Sequence, residues 1–130
     1  MTNDEAARIV EVVRARLDAE GLGAAVAVVD RHGELIAFLR TDGCPPSSID
    51  NAIHNAFTAA RERSESATLG TKSRDEGFPI TNFGDLRYTG WGGGVPVVVE
   101  DEVVGAVGVS GLPEAHDIEL ARLGAAAVGG

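Results

Sequence analysis

Cysteine is nearly missing from this chain. Cys44 stands alone among 130 residues, which excludes an internal disulfide, and no Cys-x-x-Cys pair offers a zinc or dithiol redox site. Long apolar runs are missing too: the longest stretch of apolar residues and glycine, Gly21 to Val29, is about half of the roughly 18 residues that a membrane-spanning helix needs. Met1-Thr2-Asn3-Asp4-Glu5 carries neither the basic nor the apolar part of a secretory leader, so a cytoplasmic location is expected. Positive charge is scarce. Eleven Lys and Arg face 20 Asp and Glu, a net charge of -9, whose long-range field repels nucleic acid and anionic membranes and removes both from the expected partners. Glycine is the abundant residue, 17 in all and roughly twice the usual ~7%. It occurs without collagen period or low-complexity runs, which implies tight turns and close backbone approaches.

The length fits one domain, spanning residues 1–130, with no linker and no internal repeat. Asp4 to Glu20 sets Ala6, Ile9, Val10, Val13 and Leu17 at helical spacing with acids in the first turn, and Gly21 stands where a C-cap would. Ala24 to Asp30 and Glu34 to Arg40 are β-rich and separated by Asp30-Arg31-His32-Gly33, which predicts an antiparallel hairpin. Cys44-Pro45-Pro46 breaks the pattern before a helix over about Ser48 to Arg63. The expected buried stripe of that helix is Ile49, Ala52, Ile53, Ala56, Phe57 and Ala60, with Asp50, Asn51, Asn55, Thr58 and Arg61 toward the other side. A short helix over Glu65 to Gly70 is compatible with the sequence. Thr71 to Gly94, broken by Gly77, Pro79, Gly84, Gly90 and Gly92-Gly93-Gly94, reads as a long irregular segment and the first place to seek a site. Val95 to Glu100 and Val103 to Val109 predict a second hairpin, with Pro96 marking an edge or bulge. A last helix follows from Pro113 to Val128. With no β-α-β alternation, the order predicts an antiparallel sheet of four strands with helices packed on it.

His54 is the titratable side chain of most interest. It lies at the border of the apolar stripe, four residues after Asp50 and four before Thr58, where an imidazole can ligate a metal, move a proton, or simply bond a neighbouring group. His32 falls in a hairpin turn and His116 near a helix start, and no pair of histidines has the i, i+4 spacing of a metal-binding helix. Phe78, Phe83, Tyr88 and Trp91 gather most of the aromatics into one segment, while Arg61, Arg63, Lys72, Arg74 and Arg87 form a local cationic stretch in an acidic protein. Together they suit a lined pocket that meets ligand carboxylates, an interface, or a core plug beneath a loop. Gly90-Trp91-Gly92-Gly93-Gly94 leads into a strand and lacks both dinucleotide and phosphate-loop fingerprints. Gly108-Val109-Ser110-Gly111 departs from the nucleophile elbow by placing Gly directly after Ser, so Ser110 reads as a turn residue. Asp30, Asp42 and Asp117 read as turn or cap carboxylates.

Val26-Ala27-Val28-Val29-Asp30, Gly33-Glu34-Leu35-Ile36-Ala37-Phe38 and Arg40-Thr41-Asp42-Gly43 resemble the signature of the GlcG/HbpS-like haem-binding proteins. The likeness continues through Ala52, Ala56, Thr58 and Ala59, then Gly93-Gly94-Val95-Pro96, the run Val104 to Gly111, and Asp117 with Ala121. It implies a profilin-like α/β (α+β) fold, a five-stranded antiparallel sheet flanked by helices, whose fifth strand would come from part of Phe78 to Tyr88. It also implies symmetric homo-oligomers. Three positions depart from the family pattern: His54 where lysine is common, Leu112 where Gly usually follows Ser-Gly, and Ile118 where an acid usually follows the aspartate.

The resemblance implies haem as cofactor and ligand, with a role in haem use or degradation. His54 or Tyr88 would then be the axial iron ligand, Phe57, Phe83 and Trp91 would contact the macrocycle, and Arg61, Arg63 or Arg87 would pair with propionates. Whether the protein is an enzyme stays open. The alternative is a small-molecule isomerase or lyase without haem, using His54 as catalytic acid or base and Arg87 to hold a substrate carboxylate. A third reading is a structural oligomer in which the loop aromatics form subunit contacts.

Overall fold

The computed structural model describes residues 1–129. Helix α1, Asn3–Glu20, begins with a capping box: Thr2 Oγ1 accepts from the Glu5 amide at 3.1 Å and Glu5 Oε1 accepts from the Thr2 amide at 2.8 Å. Its apolar face, Ala6, Ile9, Val13 and Leu17, is fully buried. Strands β1, Ala25–Asp30, and β2, Leu35–Arg40, pair antiparallel as the hairpin pattern predicts. Asp30 Oδ1 holds the turn by accepting from the amides of His32 and Glu34. Helices α2, Ser48–Glu62, and α3, Ser66–Glu76, follow, then a single 3-10 turn over Ile80–Phe83, strands β3, Gly94–Val99, and β4, Glu102–Ser110, and helix α4, Glu114–Gly129.

The sheet is antiparallel with strand order β2-β1-β4-β3, so β3 with Pro96 lies at an edge. Because strand side chains alternate faces, the alternation of Ala and Val in β1 sorts the sheet into two unlike surfaces. Val26, Val28, Val95, Val97, Val107 and Val109 face α1 and α4 and form the larger core with Ile9, Leu17 and Leu120. Ala25, Ala27, Val29 and Ala106 face α2 and its row of alanines. On that side Ala27, Gly108 and Gly94 lie side by side across three strands. A Cβ on Gly108 would stand 2.0 Å from the Ala52 carbonyl oxygen, and one on Gly94 would stand 2.0 Å from the Asn55 carbonyl oxygen. The helix backbone rests on the sheet at these two glycines.

Three expectations are corrected. The fold is a four-stranded α+β domain with four α-helices and no fifth strand among the described residues. Phe78 to Tyr88 curls instead, because Gly77 and Gly84 adopt left-handed conformations, Pro79 leads into the 3-10 turn, and the Asp85 carboxylate captures the Arg87 amide at 2.9 Å. The segment read as irregular from Thr71 is helical as far as Glu76. That turn and a half is polar all round and carries no apolar period for the sequence to show. In α2, Asn55 and Thr58 are buried while Ile49 and Ile53 are only half-buried. The helix is covered on two sides, by the sheet and by the chain from Arg87 to Gly94, and the second cover brings backbone groups that require polar partners.

Candidate functional site

The face of α2 that meets the sheet is Ser48, Ala52, Asn55 and Ala59, an i, i+4, i+7, i+11 stripe of small or polar residues. Asn55 of this stripe, Thr58 beside it and Ser66 of α3 tie down the glycine-rich segment. Asn55 Nδ2 donates to the Gly92 carbonyl at 3.3 Å and the Val109 carbonyl at 3.1 Å. Thr58 Oγ1 accepts from the Thr89 amide at 2.9 Å and donates to the Arg87 carbonyl. Ser66 Oγ accepts from the Gly94 amide at 2.9 Å. The irregular segment is therefore stapled to α2 and α3 at four residues in sequence order.

Its aromatic and basic side chains divide into two groups. Phe57 is fully buried, under the β1–β2 turn, where a Cβ on Gly33 would come within 2.7 Å of its ring. Tyr88 meets it edge-on at 5.1 Å between centroids, and Phe83 stacks on Tyr88 at 4.3 Å. The guanidinium carbons of Arg87 and Arg61 lie 4.0 and 4.9 Å from the Phe57 centroid. Five of the seven expected site residues, Phe57, Arg61, Phe83, Arg87 and Tyr88, thus form one cluster. Both arginines are already engaged. Arg87 bridges Asp85 at 2.9 Å and Glu34 at 3.2 Å, and its hydrogen bonds hold the Asp85 carboxyl down at about 2. Arg61 Nε donates to the His32 carbonyl at 2.6 Å. His54, one turn before Phe57 and Thr58 on α2, is half-buried and makes no side-chain hydrogen bond or ion pair with the described residues. Arg63 is an exposed left-handed C-cap residue beyond the cluster.

Trp91 is elsewhere. It is 62% exposed and stands at the mouth of a cleft of about 410 Å³ that no expected site residue but itself lines. The cleft opens where the N-terminal turns of α2 and α4 converge on the end of β4, and its walls include Ser48, Asn51, Asn55, Ser110, Glu114 and Asp117. Asn55 Oδ1 is the only buried side-chain polar atom without a hydrogen-bond partner among the described residues. Because both partners of Nδ2 are carbonyls, the orientation of the amide is determined, and the unpaired atom is an acceptor. Asp117 is 6% exposed, and its Oδ1 accepts from the Leu112 amide at 3.1 Å. Burial pushes its carboxyl up to about 7 against the pull of the Leu112 and Gly111 amides and His116, and Glu114 adds a smaller upward push. One Glu114 oxygen accepts from the Gly92 amide at 2.9 Å.

The cap role expected of Asp117 is observed, since it ties the Gly111-Leu112 turn to α4. Its place in the cleft was not legible, nor was that of Asn55. The available signal was the small-residue stripe of α2, which outranks Ile49 and Ile53 once the sheet beneath is known to be glycine and alanine. Cys44 is a half-buried thiol raised by burial, and no group of three His, Cys, Asp or Glu side chains suited to a metal ion occurs among the described residues.

A four-stranded antiparallel sheet between helical layers, with a polar cleft at one end, defines a class of small α+β domains. Within that class the chain belongs to the HbpS-like family, described as haem degrading protein HbpS-like, whose pattern it matches over residues 1–126. It is similar to GlcG of Escherichia coli K12, at 38% identity over 91 residues, and the match covers 65% of this chain and 62% of GlcG. The chain therefore spans less than two thirds of that relative's length. Among solved structures it is similar to a double mutant of Streptomyces reticuli HbpS, at 30% identity with a TM-score of 0.89, covering 100% of this chain and 88% of that one. It is also similar to Klebsiella pneumoniae ORFY, at 26% identity with a TM-score of 0.90, covering 98% and 90%. No described helix is long and apolar enough to cross a membrane.

Proposed function

We propose that this protein binds haem on the surface formed by the Ile80–Tyr88 segment and the adjoining face of α2, and that it does so as a homo-oligomer. Membership of a family described by haem degradation carries the reading. His54 is the half-buried imidazole left without a partner, and it is the first choice for the iron ligand, with Tyr88 the second. Phe83, 39% exposed, and Leu86, 87% exposed, supply an apolar surface beside Tyr88 that suits a macrocycle or a second subunit. Phe57 supports this surface from beneath, and Arg61 and Arg87 would reach propionates only by exchanging part of their present bonds. That engagement also weighs against the enzyme alternative in which Arg87 holds a substrate carboxylate.

Titration of the purified protein with hemin, followed in the Soret region, tests the reading. A saturable shift at one haem per subunit or per subunit pair is expected, and His54→Ala is expected to change the spectrum of the complex. Loss of the shift in Tyr88→Phe with an unchanged His54→Ala spectrum would reassign the ligand. A titration no different from that of a non-binding control protein would end the haem reading.

A further inference from the structure

The cleft beside Trp91 is rich in acceptors and has no cation. No Lys, Arg or His is among the residues that line it, and the imidazole nearest in sequence, His116, is turned onto Glu20 with Nε2 2.6 Å from the carboxylate. A buried carboxyl is costly to ionise unless a positive group accompanies it. Asp117 has only backbone amides. Asn55 also lines the cleft and has a buried side-chain oxygen that accepts no hydrogen bond, Glu114 adds a second carboxylate, and the hydroxyls of Ser48 and Ser110 are further possible acceptors. At the mouth, the exposed indole of Trp91 offers a ring face of the kind that attracts cations. The net charge of -9 raises the local concentration of cations around the whole molecule. The N-terminal turns of α2 and α4 by themselves favour an anion, but a carboxylate or phosphate would face Asp117 and Glu114 with no cationic side chain to hold it.

We propose that this cleft is a binding site for a small organic cation, a primary ammonium group on a short aliphatic chain. The three N–H donors of the ammonium satisfy Asp117, the Asn55 side-chain oxygen and a cleft hydroxyl, and the chain lies along Trp91. The site is separate from the haem surface and does not depend on it. The other ionisable groups that bear on Asp117 are Glu114 and His116 of the same helix, with Cys44 on the loop after β2. None of them is a cation facing into the cleft.

The test compares butylamine, 1-butanol and butyrate, equal chains that differ in the head group, titrated into nitrogen-15-labelled protein at pH 8. The readouts are the Asn55 side-chain amide and the Trp91 indole resonance. Butylamine alone is expected to shift both to saturation. Asp117→Asn, or lowering the pH of the wild type to 5.5, is expected to weaken it about tenfold or more. Trp91→Ala, a change at an exposed position that leaves the fold intact, is expected to weaken it several-fold, and keeps the test open if the Asp117 variant does not fold. Equal binding of 1-butanol or butyrate, or saturation of the same resonances by calcium ion, would overturn the proposal, as would the absence of a saturable shift with butylamine. Soret titrations of the same samples separate this result from the haem reading, because either can fail with the other intact.

Discussion

At the scale of single residues, the least comfortable group in the molecule is Asp117. Its folded-state value of about 7 lies above an ordinary value of 3.8, so between those two values the folded chain holds a proton that the unfolded chain has released. Stability contributed by this group is present below about pH 4 and is lost as the pH rises to about 7, a total on the order of 2–4 kcal/mol. Asp117→Asn retains an acceptor for the Leu112 amide and cannot ionise. Urea melts of both proteins at pH 5 and pH 8 are expected to show the variant gaining on the wild type by at least ~1 kcal/mol at the higher pH, and parallel pH profiles would refute the assignment. Asn55 makes the opposite kind of contribution. Asn55→Ala strands the carbonyls of Gly92 and Val109, and a loss of about 1–3 kcal/mol is expected, read from the same melts. Asn55 was assigned to the outer side of its helix by apolar spacing alone, since spacing cannot reveal that a second layer of chain lies over the helix.

At the scale of elements, the seat of α2 on the sheet decides where the site lies. Gly108 and Gly94 bring the helix backbone onto β4 and β3. This contact sets the height of Asn55 and Thr58, and through them the path of the segment from Arg87 to Gly94. Gly108→Ala would drive a methyl group into the Ala52 carbonyl, and a destabilisation of about 3 kcal/mol is expected. The displacement should also be visible as altered amide shifts along Thr89 to Gly94, well beyond the mutated strand. Gly124→Ala is the control, because its nearest neighbours are side-chain methyls at 3.0 Å and beyond that can give way. It should cost much less, and equal costs would show that helix seating is not the cause. The helices and strands were legible from apolar period and turn residues, with α1 and both hairpins within a residue or two of their expected bounds. The polar second half of α3 had no period to read, and Phe78 to Tyr88 was expected to contain a strand only because the family resemblance implied one.

At the scale of the whole molecule, the surface carries two unlike features close in sequence: an apolar stretch at Phe83 and Leu86, and an acceptor-lined cleft beside Trp91. Sedimentation or light scattering is expected to find a homo-oligomer, and Leu86→Glu is expected to lower its mass while leaving the circular dichroism unchanged. A wild-type monomer at micromolar concentration would remove the subunit-contact role from this stretch.

The sequence by itself determined the α+β class, the two antiparallel hairpins and the family, because strand alternation, glycine turns and capping residues act over a few neighbours and leave local patterns. With a single cysteine it also left no pair of thiols among these 130 residues to form a disulfide. Only the tertiary structure decided which side chains meet. It set Phe57 edge-on against Tyr88, placed Trp91 in a cleft that the other aromatics do not line, and brought Asn55 and Asp117, 62 positions apart, into that same cleft. Those outcomes depend on how closely α2 rests on a glycine and alanine floor, a distance set by packing between segments remote in the chain.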